Sequence, residues 1–208
     1  LSMWSRRLRT LERLKREGML LDVGCGEGLF LELAKEEGWQ IHGTEISQFA
    51  RDFASENLGI NIFRGDIWDA GFDSNSFDVV TMWHVLEHTR DPLKVLGEIN
   101  RIIRPDGYLI VAVPNVNDII MQTAYRLIRG ARPKLFSMDS KEIHLFHFSA
   151  DTIEAILKHS GFKAFRIGPD FGITELPKKL INYLATATYC LTGIHLYNAI
   201  EVVSGPLK

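Results

Sequence analysis

The stretch Leu20-Leu21-Asp22-Val23-Gly24-Cys25-Gly26-Glu27-Gly28 decides the fold. A short apolar run over 19–23 feeds a tight glycine turn, and residues 29–37 follow with helical periodicity. Glycines permit positive φ and let a ligand reach bare backbone. Spacing separates this turn from the dinucleotide-binding fingerprint, which requires G-x-G-x-x-G. Here the third glycine arrives one residue early, and Leu29 stands in its slot. Asp22 adds an acid at the strand end, immediately before the turn.

Outward from that unit, strands and helices alternate. Residues 40–45 read as a second strand, Ser47 as the N-cap of a helix reaching Asn57, and 60–63 as a third strand. Phe77-Asp78-Val79-Val80-Thr81-Met82-Trp83 is β-branched and apolar, as a fully buried parallel strand requires. A helix over 92–104 carries Leu93, Leu96, Ile99 and Ile103 on one face, Asp106-Gly107 turns the chain, and 108–113 is the fifth strand. Two late strands, 162–167 and 199–204, flank a helical stretch over 176–191. Within that stretch Leu176, Leu180, Leu184, Ala187 and Leu191 form an apolar stripe expected to pack on the core.

The expectation is one α/β domain over 1–208: a doubly wound, mostly parallel, seven-stranded sheet of Rossmann-like type. Residues 1–18 form an N-terminal amphipathic helix, and helical lid insertions occupy 117–148 and 169–196. Ligands of such sheets bind beyond the carboxyl ends of the strands. Three acids fall at three successive strand ends. Asp22 precedes the glycine turn. Glu45, in Gly43-Thr44-Glu45-Ile46-Ser47, can accept from both hydroxyls of a ribose. Asp66, in Arg64-Gly65-Asp66-Ile67, can accept from an adenine amine.

Composition narrows the partners. A net charge of −2 gives no global attraction to nucleic acid or anionic membrane. Cys25 and Cys190 form no disulfide framework, so a reducing, cytoplasmic setting is expected, and the charged residues 1–18 lack the apolar core of a secretory leader. The apolar-leaning stretch 180–200 is interrupted by Asn182, Gly193, His195 and Asn198, too broken to span a bilayer. At most a weak peripheral membrane contact is expected, and the oligomeric state stays open.

Taken together, residues 21–28, Glu45, Gly65-Asp66, Phe77-Asp78-Val79-Val80, Leu86-Glu87-His88, Pro92 and residues 101–109 resemble class I S-adenosylmethionine-dependent methyltransferases. The chain is most similar to the small-molecule, ubiquinone-biosynthesis type. The resemblance covers roughly residues 20–161. It implies S-adenosyl-L-methionine as cofactor and a small-molecule acceptor. Asp22 and the backbone of Gly24, Cys25 and Gly26 would hold the methionine amino end, and Glu45 the ribose. Ile46, Asp66 and Ile67 would surround the adenine, while Trp83 and His84 would sit near the methyl group. No metal is expected. Most members use none; ubiquinone-type members can place one near residues 83–88, where only Glu87 and His88 offer ligands here.

Methyl transfer needs an acceptor held in line with a carbon–sulfur bond and, for a weakly acidic nucleophile, a base. The candidates are His84, His88, His144 and His147. The last two are three apart and would share a face only on a helix, and no third ligand is spaced to complete a metal site with them. Arg126, Arg129, Arg132 and Lys134 read as a solvated lid face. Two other function classes compete: a cofactor-binding module without catalysis, and a nicotinamide-dependent oxidoreductase, which Leu29 disfavours. Nucleic-acid methylation is disfavoured by the charge and by Trp83-His84-Val85-Leu86 after the fourth strand.

Overall fold

The computed structural model of the chain describes residues 3–118, 122–123, 126–127, 130, 143–170 and 176–207. Six strands form one sheet: β1 (Met19–Val23), β2 (Gln40–Thr44), β3 (Phe77–Trp83), β4 (Ile103–Pro114), β5 (Phe162–Pro169) and β6 (Ala199–Pro206). Their spatial order is β2-β1-β3-β4-β6-β5. β6 pairs antiparallel with both β4 and β5, and the pairings among β1–β4 are parallel. β5 therefore points the same way as β1–β4, and all five deliver their carboxyl ends to one edge. The order reverses around β1, which opens the crevice where ligands of such sheets bind.

The expected strand over 60–63 is reduced to a single bridge, Thr44 with Phe63. Phe63 N donates to Gly43 O at 3.0 Å, and Glu45 N to Phe63 O at 2.9 Å. The segment occupies the outer edge beside β2, with only Ile62 buried, and this leaves a six-stranded sheet.

Period-two alternation sorts the side chains into two cores. Leu21, Val80, Val111 and Val202 face α4 (Pro92–Ile102), α5 (Ala150–His159) and Ala185 of α6 (Leu176–Thr192). Their sequence neighbours Leu20, Val79, Ile110 and Val203 face α1 (Met3–Leu14), α2 (Leu29–Glu36) and α3 (Gln48–Leu58). Side chains cap the starts of α3, α4 and α5, the first at Ser47 as expected. Ser47 accepts from Ala50 N, Asp91 from Lys94 N ahead of Pro92, and Ser149 forms a capping box with Thr152.

Two residues of the expected stripe on α6 face outward. Ala185 is its buried residue, while Ala187 is exposed and Leu191 is 86% exposed. The side chains of Leu176, Leu180 and Leu184 lie outside those described, as do Arg129, Arg132, Lys134 and most of the expected insertion over 117–148. Gln122, Thr123, Arg126 and Leu127 within it are helical. No helix among the described residues is long and apolar enough to cross a membrane.

One carboxylate fastens the entry to the sheet. Asp78, buried near the start of β3, accepts from Met19 N at 2.8 Å and from Lys15 and Arg104. It joins the end of α1 to β1, β3 and β4. Burial opposes its ionisation, but Lys15, the Met19 amide and Arg104 hold its carboxyl below the usual range. Asp78→Asn should lose about 1.5–3 kcal/mol at neutral pH, the scale of hydrogen bonds to a charged group. A carboxyl whose pKa is lowered by folding stabilises above its unfolded value and loses that stabilisation as pH falls through the folded one. The gap in melting temperature between wild type and Asp78→Asn should therefore narrow in acid; a gap independent of pH would refute the ionic role.

Candidate active site

The glycine turn after β1 is built by contact. Gly24 has φ +70°, and a Cβ there would stand 2.5 Å from Val85 Cγ2, so a side chain is excluded by both conformation and space. Gly26, at φ +56°, has nothing within 4 Å of the same position, which leaves its backbone open to a ligand. The Thr44 carbonyl accepts from Gly24 N (2.8 Å) and Cys25 N (3.0 Å). The Glu45 carboxylate accepts from Gly26 N (2.9 Å) and Ser47 N (2.7 Å). Both oxygens of Glu45 are thus held by backbone amides, with lone pairs remaining for further donors.

A cavity of about 490 Å³ opens above the carboxyl ends of β1, β2 and β3. That volume lies within the range of small-molecule sites. Its lining includes Gly24, Glu45, Ile46, Asp66, Ile67 and Trp83, together with His84, Val85, His88, Thr89 and Arg90. Ile46 is 73% exposed at the rim, whereas Ile67 is buried in the floor.

Asp22 and Cys25 lie beneath the turn and do not line the cavity. Asp22 is buried and accepts from Thr81 Oγ1 at 2.6 Å. Burial, with a smaller contribution from Glu45, outweighs Thr81 and Arg7 and pushes its pKa up to about 7. The Cys25 thiol is likewise pushed up by burial and is inert at neutral pH.

The four histidines divide. His84 and His88 line the cavity; His144 and His147 do not. The segment over 143–148 is not helical, yet it brings them together: the His144 ring lies 4.9 Å from that of His88 and 5.9 Å from that of His147. The expected divergence off a helix does not occur, because the Glu87 carbonyl accepts from both Leu145 N and Phe146 N and folds the segment back on the turn after β3.

Two residues linked to the cavity wall were missing from the sequence reading. Arg7 of α1 and Asp170, just past β5, form a buried pair at 2.8 Å, and His84 Nε2 stands 2.9 Å from the same Asp170 oxygen. Arg7 lies over the Trp83 ring at 4.3 Å and the Trp4 ring at 4.8 Å. His84 sits in the left-handed region at φ 58°, a conformation costly to a non-glycine residue and characteristic of functional sites. Burial opposes charge on its ring, but Asp170 and Glu87 prevail and its pKa is pushed up to about 9. A signal for Asp170 existed: like Asp22 and Glu45, it is an acid at the carboxyl end of a strand.

Known proteins fit this geometry. A family model described as a methyltransferase domain matches residues 2–166. A ubiquinone biosynthesis O-methyltransferase of Coxiella burnetii is 33% identical over 103 residues, 47% of this chain and 44% of that protein, so the match spans less than half of the relative's length. Among solved structures, an S-adenosylmethionine-dependent methyltransferase from Aquifex aeolicus has a TM-score of 0.63 at 15% identity, covering 96% and 89% of the two chains. A Haemonchus contortus N-methyltransferase in complex with phosphomonomethylethanolamine and S-adenosylhomocysteine has a TM-score of 0.65 at 18% identity, covering 99% and 53%. With glycine turn, acids and cavity at the reversal of strand order, the chain belongs to the methyltransferase-domain family of class I S-adenosylmethionine-dependent methyltransferases.

Proposed function

We propose that the chain transfers the methyl group of S-adenosyl-L-methionine to an oxygen, nitrogen or carbon of a small-molecule acceptor, in a cytoplasmic setting. The observation that carries this reading is the Glu45 carboxylate, held by two backbone amides on the wall of a cavity that Gly65, Asp66 and Ile67 also line. A carboxylate so fixed suits a ribose diol, and exposed Asp66 beside it suits an adenine amine.

The cofactor supplies an electrophilic methyl on a sulfonium centre. The chain's own residues bind, orient and exclude water. Glu45 and Asp66 would fix the nucleoside, and the Gly24–Gly26 backbone with Asp22 the methionine end. His84 and His88, with Thr89 and Arg90, would bound the acceptor, giving a polar end suited to a polar small molecule. His144 and His147 stand behind His88 and would act through it.

Glu45→Ala should weaken cofactor binding by about 1.5–3 kcal/mol, roughly tenfold to a hundredfold. Calorimetry on a variant with wild-type melting temperature checks this, and unchanged affinity would remove Glu45 from the site. His84→Gln and His88→Gln should instead leave affinity near wild type and slow transfer of labelled methyl to a panel of phenols, amines and sugars. Tight cofactor binding with no transfer to any acceptor would favour the non-catalytic module.

A further expectation follows from Asp22. Its pKa near 7 means part of the population is protonated at neutral pH. A bound ammonium favours the carboxylate, so cofactor binding between pH 6 and 7 should release protons, and affinity should rise with pH and level off above about 7. Titrations in buffers of different ionisation enthalpy measure this release. Its absence in wild type, or its persistence in Asp22→Asn, would show that Asp22 does not sense the cofactor.

A further inference from the structure

A second cavity, of about 200 Å³, lies between α1 and the β5–β6 edge of the sheet. It shares no lining residue with the cavity at the ends of β1, β2 and β3. Five of the ten residues that line it are arginines, against two carboxylates. The chain as a whole carries a net charge of −2, so this groove concentrates charge against the overall sign.

Both carboxylates are already answered. Asp170 takes Arg7 at 2.8 Å and His84 at 2.9 Å. Glu201, 5% exposed, takes Arg166. The other three arginines share one stripe of α1, since Arg6, Arg9 and Arg13 are spaced by three and four residues. Arg6 donates to the Tyr183 hydroxyl at 3.0 Å, a neutral group that cancels no charge. Among the described residues no carboxylate pairs with Arg9 or Arg13. Like charges at these spacings repel one another, and a multivalent anion between them replaces that repulsion with attraction.

The walls are set for such a ligand before it arrives. Asp170 fixes Arg7, Glu201 fixes Arg166 and Tyr183 holds Arg6, which lowers the ordering cost of binding. A guanidinium has five N–H donors, and one partner does not exhaust them. Its planar fork matches the oxygens of a phosphate. Donors that come from a helix on one side and a strand on the other suit a group with oxygens on every face. The volume falls below the roughly 300–1,000 Å³ of drug-sized sites, which fits a single phosphate and not a large molecule.

We propose that this groove binds a doubly charged phosphate group through Arg6, Arg9 and Arg13 of α1 and Arg166 of β5. The phosphate is inorganic or the terminal group of a larger molecule, whose remainder extends out of the groove. The site stands on these side chains alone and does not rest on the methyl-transfer reading.

The test is calorimetry of the whole chain with sodium phosphate and with glycerol 3-phosphate, each against sodium chloride at equal ionic strength. Flotation with vesicles containing phosphatidic acid runs beside it. At least one of these phosphates should bind with one equivalent per chain and raise the melting temperature. Arg9→Gln and Arg13→Gln, neither of which breaks an ion pair, should each weaken binding about threefold or more, and the double variant about tenfold or more. Lys158→Gln removes the same charge from α5, on the opposite face of the sheet, and should bind as wild type does. Vesicle binding that the double variant loses assigns the phosphate to a lipid headgroup; binding of the soluble probes alone assigns it to a soluble ligand. Wild type that binds none of the three probes, or a double variant that binds as wild type does, would overturn the proposal. So would Lys158→Gln weakening binding as much as the double variant, since net charge and not the groove would then be responsible.

Discussion

The end of β2 holds the turn after β1, and everything at the site hangs from that contact. One carbonyl, that of Thr44, receives the amides of Gly24 and Cys25, and the next residue's carboxylate receives the amide of Gly26. Parallel pairing of β1 with β2 brings these partners level, since Val23 registers with Thr44. The turn is therefore not a loose loop awaiting a ligand. Its shape is set by the neighbouring strand, and the residue that sets it, Glu45, also faces the cavity. Gly24 makes the arrangement possible from below, because Val85 fills the space a side chain would need.

Much of this was legible because it is local. The run over 19–28, the cap at Ser47, the buried β3 and the acids at strand ends all follow from short-range spacing and strand polarity. What the spacing could not supply is tertiary. The segment over 60–63 has strand-like residues, but an edge position with one buried side chain gives it a single bridge. α6 carries an apolar stripe by count, yet Ala185 meets the core and Leu191 faces out, since a helix face is chosen by its partners and not by its own pattern alone. At the site, Glu45 and Asp66 were readable, whereas Arg7 and Asp170, 163 residues apart, were not.

That distant pair changes how the His84 side of the cavity is understood. Arg7 is sandwiched by Trp4 and Trp83 and paired with Asp170, which in turn holds His84. The N-terminal helix thus reaches the residue next to the cavity through one carboxylate. Breaking such a buried pair by removing one partner typically costs about 3–5 kcal/mol. A helix that reads in sequence only as amphipathic thereby reaches the wall of the cavity through Asp170 and His84.

The strain at His84 becomes intelligible on the same terms. A left-handed non-glycine residue persists only where its surroundings over-determine it. His84 N donates to Ala112 O at 2.9 Å, which fixes its backbone to β4, while Nε2 is fixed to Asp170 from beyond β5. The main chain and the ring are therefore held by different strands, and the left-handed backbone of His84 lies between these two anchors. The turn that follows inherits this geometry. It buries Glu87 and presents its carbonyl to Leu145 and Phe146, setting His88 and His144 side by side. The glycine turn, the fixed His84 and the histidine cluster are consecutive consequences of how β1 and β3 leave the sheet.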